Sequence, residues 1–310
     1  MRAPRETNVA VLMGGWSAER DVSLNSGEAC GRALEAAQFK VMPIDVKRNI
    51  AEVLQDLRPD VAFNALHGKW GEDGSVQGIL ETLEIPYTHS GVLASAIAMN
   101  KEKSKAIFRS VGIPVADSVL VELDKAAEAH PMPLPYVIKP VAEGSSVGVH
   151  IVPVGANAPV TTLVNQRKLY GDKVMVERFV PGKELTCAVM GDVALGVIEI
   201  VPRVGFYDYE AKYAPGGSNH VLPAQIPHEV YRRVQQISLV AHQALGCRGV
   251  SRADFRYNDT PGGEQELVIL EVNTQPGMTA TSLVPELAQH AGHSFEQLVS
   301  WMVNDASVNR

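Results

Sequence analysis

The chain has 310 residues, of which 45% are hydrophobic and 20% charged, and its formal net charge is −7. This length favours two or three domains, and the composition is that of an ordinary globular protein. The negative charge argues against a nucleic-acid partner, and no apolar run approaches the length of a membrane span or a signal-peptide core.

The three cysteines, Cys30, Cys187 and Cys247, lie far apart and form no Cys-x-x-Cys pair. Their spacing fits neither a zinc site nor a disulfide framework, so we expect buried structural thiols. With no secretory signal in the sequence, these features predict a cytoplasmic protein with no membrane association.

Strand and helix patterns alternate in the first part of the chain. Strands are predicted at residues 9–13, 41–44 and 61–64, and helices at 23–37 and 50–57. This order predicts an N-terminal α/β domain over residues 1–98, with helices around a parallel sheet. Ligands of such sheets bind at the carboxyl ends of the strands, which here are the Gly-rich, polar segments 14–20 and 65–74.

The pattern changes near residue 98. A helix is predicted at residues 101–111, followed by strands at 119–121, 136–139, 149–152 and 174–177. These elements predict a small α+β domain with antiparallel strands over residues 99–180.

The third predicted domain covers residues 181–310. Its predicted elements are a hairpin with strands at 185–190 and 193–200, a helix ending near Gly246, strands at 250–257 and 267–272, and a final amphipathic helix around 295–302. Between the hairpin and the first helix lies a long polar stretch with little apolar periodicity. Such stretches inside compact domains are usually functional, so a lid is predicted at about residues 203–221.

Polar side chains are embedded in the two predicted strands near the C-terminus. Arg252 and Asp254 are two residues apart, as are Glu271 and Asn273, so each pair shares one face of its strand. If the strands are neighbours, two carboxylates, an amide and a guanidinium converge, which suits Mg²⁺ and phosphoryl transfer. Taken alone, the pattern fits a metal site or an ordinary exposed strand face equally well.

A Gly-rich segment, KPVAEGSSVG at residues 139–148, connects two predicted strands. Its glycines let backbone amides approach phosphate oxygens, but it is not a Walker A loop, and the pattern also fits an ordinary hairpin turn. It matches the Gly-x-Ser-x-Gly elbow of serine hydrolases as well. That elbow requires a helix after the serine, whereas a strand is predicted here.

Five motifs together resemble the D-alanine–D-alanine ligase family over nearly the whole chain, in order and with matching gaps. They are GGWSAERDVS at 14–23, LHG with GEDG at 66–74, the Gly-rich segment above, FYDYEAKY at 206–213, and LEVNTQPGMT at 270–279. The resemblance implies the three-part ATP-grasp fold, with ATP held between the central and C-terminal domains.

The resemblance also implies a set of ATP and metal contacts. Those expected to bind ATP are Lys101, Lys139 and Lys212 at the phosphates, and Glu177, Val180 and Glu184 at the adenine and ribose. Those expected to bind two Mg²⁺ ions, or Mn²⁺ in their place, are Asp254, Glu271 and Asn273. The implied reaction phosphorylates the carboxylate of one D-alanine, and the amine of a second D-alanine then attacks the acyl phosphate.

Roles in catalysis and substrate binding follow from the same resemblance. Those expected in catalysis are Arg252 and the Gly277 amide at the oxyanion, Glu19 at the first D-alanine's ammonium, and Ser145 and Tyr213, hydrogen-bonded to Glu19. Those expected at the substrates are Val22, His67, Ser282 and Leu283.

The family implies a homodimer that makes the dipeptide for peptidoglycan precursors. A competing hypothesis is an ATP-grasp ligase that uses D-lactate as its second substrate; the tyrosine at position 213 favours the dipeptide. Two more hypotheses come from different classes of protein: a nucleotide-binding regulator without turnover, and a serine hydrolase.

Overall fold

The computed structural model describes residues 3–144, 147–202, 217–262, 265–279 and 281–310. These residues form three sheets with helices packed on and between them. Within these ranges, no helix combines the length and the apolar character that crossing a membrane requires.

The first sheet is parallel and has three strands in the order β2-β1-β3. The strands and helices of this region are β1 (Asn8–Gly14), α1 (Arg20–Ala36), β2 (Lys40–Val46), α2 (Ile50–Leu57), β3 (Val61–Asn64), α3 (Ser75–Thr82) and α4 (Val92–Met99). β1 is apolar along most of its length because both faces of the sheet are covered, and residues 9 to 12 have no solvent exposure. The predicted N-terminal parallel sheet is therefore confirmed.

The second sheet is antiparallel, with four strands in the order β4-β7-β5-β6. This region contains α5 (Lys101–Ser110), β4 (Ser118–Glu122), α6 (Leu123–Glu128), β5 (Tyr136–Pro140), β6 (His150–Val152), α7 (Arg167–Tyr170) and β7 (Lys173–Arg178). β5 pairs directly with β6, so the Gly-rich segment connects two strands. This topology excludes the serine-hydrolase elbow, which needs a helix at that point.

The third sheet is also antiparallel, with five strands in the order β10-β9-β8-β11-β12. Its region contains β8 (Lys183–Met190), β9 (Val193–Pro202), β10 (Ser218–Val221), α8 (His228–Ala244), β11 (Val250–Tyr257), β12 (Leu267–Asn273), α9 (Leu283–His290) and α10 (Phe295–Asp305). The predicted lid lies outside the described residues except for 217–221, and most of that remainder forms the edge strand β10.

Two hydrophobic cores cover the two faces of the third sheet. One contains Val9 and Val11 of β1 together with residues of β8, β9, α9 and α10, so the first and third sheets share it. The other contains Phe108 of α5 and Phe255 of β11. α5 therefore packs on the third sheet, and the domain boundaries at residues 98 and 180 stay a prediction.

A buried amide pair joins the first sheet to the segment after β12. Asn64 Nδ2 donates to Gly71 O at 2.9 Å and to Gln275 Oε1 at 3.1 Å, and Asn64 Oδ1 accepts from Leu66 N at 3.1 Å. Gln275 Nε2 donates to the backbone oxygen of Asn64 in return. This pair fixes the edge of the first sheet against the end of β12.

Replacing Asn64 with alanine is expected to lower the free energy of unfolding by about 2 kcal/mol, because buried partners lose their hydrogen bonds. Urea denaturation followed by circular dichroism measures this loss. Asn157→Ala, at an exposed asparagine outside the helices and strands, is the control and is expected to change stability by less than about 0.5 kcal/mol. Equal stability of the two variants would contradict the prediction.

Candidate active site

Two adjoining cavities lie where the three sheets meet. The first chamber lies between the loops after β1 and β3 and the ends of β11 and β12. The predicted site residues that line it are Glu19, His67, Lys101, Arg252, Glu271, Asn273, Gly277, Ser282 and Leu283.

The second chamber lies between the second and third sheets. The predicted site residues that line it are Lys101, Lys139, Glu177, Val180, Glu184, Asp254 and Glu271. Lys101, Glu143 and Glu271 line both chambers. Two ligands, one in each chamber, can therefore come into contact beside these three side chains.

β11 and β12 bring the predicted polar pairs together. The two strands are antiparallel neighbours, with Arg252 opposite Asn273 and Asp254 opposite Glu271. Directly opposite residues place their side chains on the same face of a sheet. The expected convergence of these four side chains is therefore confirmed.

Protein cations pair with both carboxylates of this face. Arg252 donates to Asp254 through Nε at 2.9 Å and Nη2 at 2.7 Å, and Thr186 Oγ1 donates to Asp254 at 2.6 Å. Lys101 Nζ lies 3.3 Å from Glu271 Oε2 and also donates to Glu143 O at 2.6 Å. Arg252 and Lys101, which also line the chambers, therefore balance the negative charge of this face.

The donor set on this face fits a hard divalent cation. Two carboxylates and the Asn273 amide oxygen are ligand types that Mg²⁺ takes, usually together with phosphate oxygens. Asn273 Oδ1 accepts a hydrogen bond from Gln275 N at 2.8 Å, which holds the amide in place. Among the described residues, no group of three or more His, Cys, Asp or Glu side chains could hold a metal by itself. An ion bound there would take its remaining ligands from water or phosphate oxygens.

Gly277 and Ser282 are packed closely together beside the first chamber. A Cβ added to Gly277 would lie 2.9 Å from Ser282 Oγ, so a larger residue would disturb this wall. Ser282 Oγ accepts from Thr279 N at 2.9 Å, which fixes the turn before α9. The close approach of Ser282 therefore requires a glycine at position 277.

His67 is buried in the wall of the first chamber. Burial lowers the pKa of His67 to about 4, so the imidazole is neutral near pH 7. Its Nε2 lies 3.0 Å from Ser26 Oγ, and Ser26 Oγ in turn accepts from Met278 N at 3.3 Å. Ser26 of α1 thus connects His67, in the loop after β3, to Met278, in the segment after β12.

Glu72 was not predicted as a site residue, although it belongs to the GEDG motif. It lines the first chamber, is only 8% exposed and accepts a hydrogen bond from Gly68 N. Burial, followed by the nearby Glu19 carboxylate, raises the pKa of Glu72 to about 8. The carboxyl is therefore protonated near pH 7, and only its place in the motif pointed to it.

The remaining predicted site residues are not brought together by the described structure. Val22 is buried in α1 and lines neither chamber. Ser145, Lys212 and Tyr213 lie outside the described residues.

The architecture and the site together define the class of protein. Two antiparallel sheets enclose a chamber lined by lysines and carboxylates, and a second chamber opens beside it. This is the ATP-grasp fold, which the chain shares with solved ligase structures.

Family models and relatives identify the family. The model described as "D-ala D-ala ligase C-terminus" matches residues 107–304, and that described as "D-ala D-ala ligase N-terminus" matches residues 50–90. The D-alanine--D-alanine ligase of Methylobacterium radiotolerans is 62% identical over 98% of this chain and 99% of its own length. That of Parvibaculum lavamentivorans is 60% identical over 98% of each chain. The chain belongs to the D-alanine–D-alanine ligase family.

Solved structures agree with this assignment. The D-alanine--D-alanine ligase of Bacillus anthracis complexed with ATP has a TM-score of 0.80 and 30% identity, covering 96% of this chain and 97% of that one. The ligase of Coxiella burnetii has a TM-score of 0.80 and 25% identity, covering 97% and 94%.

Proposed function

We propose that the chain is an ATP-dependent ligase that joins two D-alanines into D-alanyl-D-alanine for peptidoglycan precursors. The observation that carries this proposal is the pair of adjoining chambers, which share Lys101 and Glu271, in a chain of this family. ATP occupies the second chamber and the D-alanines the first, so the terminal phosphate meets the substrate carboxylate at the shared wall.

The reaction proceeds in two steps. A carboxylate oxygen of the first D-alanine attacks the γ-phosphorus, the bond to the bridging oxygen breaks, and ADP and an acyl phosphate form. The amine of the second D-alanine, having lost a proton, attacks the acyl carbon, and inorganic phosphate leaves with the electrons of the C–O bond. A free carboxylate is a poor electrophile, so the phosphorylation supplies the leaving group.

The second chamber is proposed to hold the nucleotide. Lys101 and Lys139 bind its phosphates, a role that two buried ammonium groups on this wall support. Glu177, Val180 and Glu184 lie at the nucleoside, and Arg256 Nε donates to Val180 O at 3.0 Å and holds that segment. Lys212 is proposed as a further phosphate contact on the family resemblance alone.

The first chamber is proposed to hold both D-alanines. Glu19 binds the first ammonium, Arg252 and the Gly277 amide stabilise the oxyanion, and Ser282 and Leu283 bind the second D-alanine. Support comes from their common position on the wall of this chamber. The roles of Ser145, Tyr213 and Val22 rest on the resemblance.

Two Mg²⁺ ions are part of the proposal, held by Asp254, Glu271 and Asn273 together with the phosphates. When bound, they neutralise charge that develops on the transferred phosphoryl group. The chemistry of the donor set and its common face on β11 and β12 support this assignment.

The assembly and location of the protein are further parts of the proposal. A homodimer is proposed on the family resemblance. A cytoplasmic location is supported by the three cysteines, which are buried free thiols and fit a reducing compartment. The D-lactate hypothesis has no support in the relatives, which carry the name of the dipeptide ligase.

Phosphate release in the presence of ATP and Mg²⁺ tests the proposed function. D-alanine, L-alanine and D-alanine with D-lactate are supplied in separate reactions, and the products are identified by mass. The expected result is phosphate and the dipeptide with D-alanine, with no depsipeptide. Failure to form dipeptide from D-alanine would overturn the proposal.

The raised pKa of Glu72 predicts a pH dependence of D-alanine binding. Below about pH 8 the carboxyl is protonated, and above it the carboxylate adds a negative charge facing the substrate ammonium. The KM for D-alanine is therefore expected to fall by about threefold from pH 7 to pH 9 in the unmodified protein, a modest change in binding energy. In Glu72→Gln it is expected to stay constant, and at pH 7 the two proteins are expected to agree.

Initial rates across this pH range, with ATP saturating, measure the effect. Glu52→Gln, at an exposed glutamate of α2, is the control and keeps the pH profile of the unmodified protein. Parallel profiles for Glu72→Gln and the unmodified protein would contradict the assignment of this proton to Glu72.

A further inference from the structure

A buried charge cluster forms part of the wall of the second chamber and extends behind it. Glu177 accepts from Lys139 Nζ at 2.7 Å through one oxygen and from Lys105 Nζ through the other. Lys105 also donates to Ala116 O at 2.8 Å, and its side chain is 1% exposed. Lys139 and Glu177 line the chamber, whereas Lys105 reaches Glu177 from α5 on the far side.

The charges of this cluster do not cancel. Burial by itself would raise the pKa of the Glu177 carboxyl, but Lys139 and Lys105 outweigh it and hold the pKa below the usual value. One carboxylate therefore faces two ammonium groups in a site with little water. Only one ammonium is needed to neutralise Glu177, so the other is available to a second anion.

We propose that Lys105 is a positioning residue: it keeps Glu177 neutralised and in place, so that Lys139 is free to bind the nucleotide phosphates. The inference rests on the proposed use of ATP in the second chamber. Without Lys105, moving Lys139 to a phosphate would leave a buried carboxylate uncompensated beside a polyanion, which is strongly unfavourable. With Lys105, the carboxylate keeps a partner whose own position is fixed by Ala116.

The substitution Lys105→Met tests this role, because methionine fills the buried space without a charge. The dissociation constant for ATP, measured by isothermal titration calorimetry without D-alanine, is expected to rise about tenfold, because Glu177 then competes with the phosphates for Lys139, an indirect effect on binding. The KM for D-alanine is expected to stay the same. Lys103→Met, at an exposed lysine of the same helix, is expected to bind ATP normally.

The pH dependence of ATP binding distinguishes an electrostatic positioning role of Lys105 from a role in packing alone. The charged groups that face Lys105 are Glu177 on β7, Lys139 on β5 and Arg109 on its own helix, and burial lowers the pKa of Lys105 to about 8. The ammonium is thus lost as the pH rises from about 7 to about 9. ATP binding to the unmodified protein is expected to weaken over this range toward that of Lys105→Met, whose own affinity stays constant.

Three results would overturn the inference. The first is a folded Lys105→Met variant that binds ATP as the unmodified protein does, and the second is an equal loss of affinity for ATP and D-alanine. The third is ATP binding by the unmodified protein that does not change between pH 7 and pH 9, which decides the question even if the variant does not fold. An unmodified protein that binds no ATP at all would instead overturn the proposed function, and this inference with it.

Discussion

Replacing Arg252 with alanine is expected to lower kcat by about a thousandfold, the upper end of the loss seen when one oxyanion donor is removed. The guanidinium lies on the shared face of β11 and β12, lines the first chamber and is held in a fixed orientation by two hydrogen bonds to Asp254. Fixed donors of this kind stabilise charge that develops only in the transition state. The KM for ATP is therefore expected to change far less than kcat.

Steady-state kinetics with both substrates measure the separate effects on kcat and on the KM for ATP. Arg32→Ala is the control, because Arg32 is exposed and paired only at the surface with Glu28, as far as the described contacts show. Asp254 keeps its hydrogen bond from Thr186 in the Arg252 variant, so the strand pair is expected to stay folded. A folded variant with kcat within tenfold of the unmodified protein would exclude the oxyanion role.

Replacing Glu271 with glutamine is expected to lower kcat by roughly a thousandfold and to raise the Mg²⁺ concentration needed for half-maximal activity. The substitution keeps the shape of the side chain but removes the charge from a proposed metal ligand on the wall between the chambers. A metal ion supplies several kcal/mol of charge stabilisation in phosphoryl transfer, and each 1.4 kcal/mol is about tenfold in rate.

A titration of activity against Mg²⁺ measures this effect, with Glu28→Gln as the control at an exposed carboxylate. Glu271 also faces Lys101 at 3.3 Å, so its loss could act through the lysine instead. Lys101→Met separates the two explanations, because it is expected to weaken ATP binding without changing the Mg²⁺ dependence. An unchanged Mg²⁺ dependence in Glu271→Gln would contradict the metal assignment.

Strand and helix prediction succeeded where the apolar pattern matched the burial. The predicted bounds of Ile50–Leu57, Val61–Asn64 and Val250–Tyr257 are those of the structure. In each of these elements local propensity and the position of the core agree, so the sequence pattern alone is sufficient.

Several short helices were not predicted. Residues 92–99 of α4, VLASAIAM, are apolar or small on every side, so no helical period separates a buried face from an exposed one. α9 carries Pro285 in its first turn, where a proline is tolerated because the missing N–H has no partner within the helix.

The edge strand β10, with the sequence SNHV, has no apolar pattern that would predict a strand. It pairs with β9 on one side only, at the edge of the third sheet.

Within the candidate site, the residue types and their motifs could be read directly from the sequence. Most of the site residues that were named from the spacing of the two C-terminal strands and from the family resemblance line the two chambers. Motifs carry this information because each holds its functional side chains at a short, constant separation along one strand or loop.

Contacts between charged residues that lie far apart in the chain became visible only in the tertiary structure. The proximity of Glu72 to Glu19, the contact of Lys105 with Glu177 and the position of Lys101 between the chambers all depend on how three sheets pack together. Burial then sets the ionisation of these groups, because a charge removed from water is stable only beside a partner. A local sequence pattern does not predict which charged groups become buried or which partners they contact.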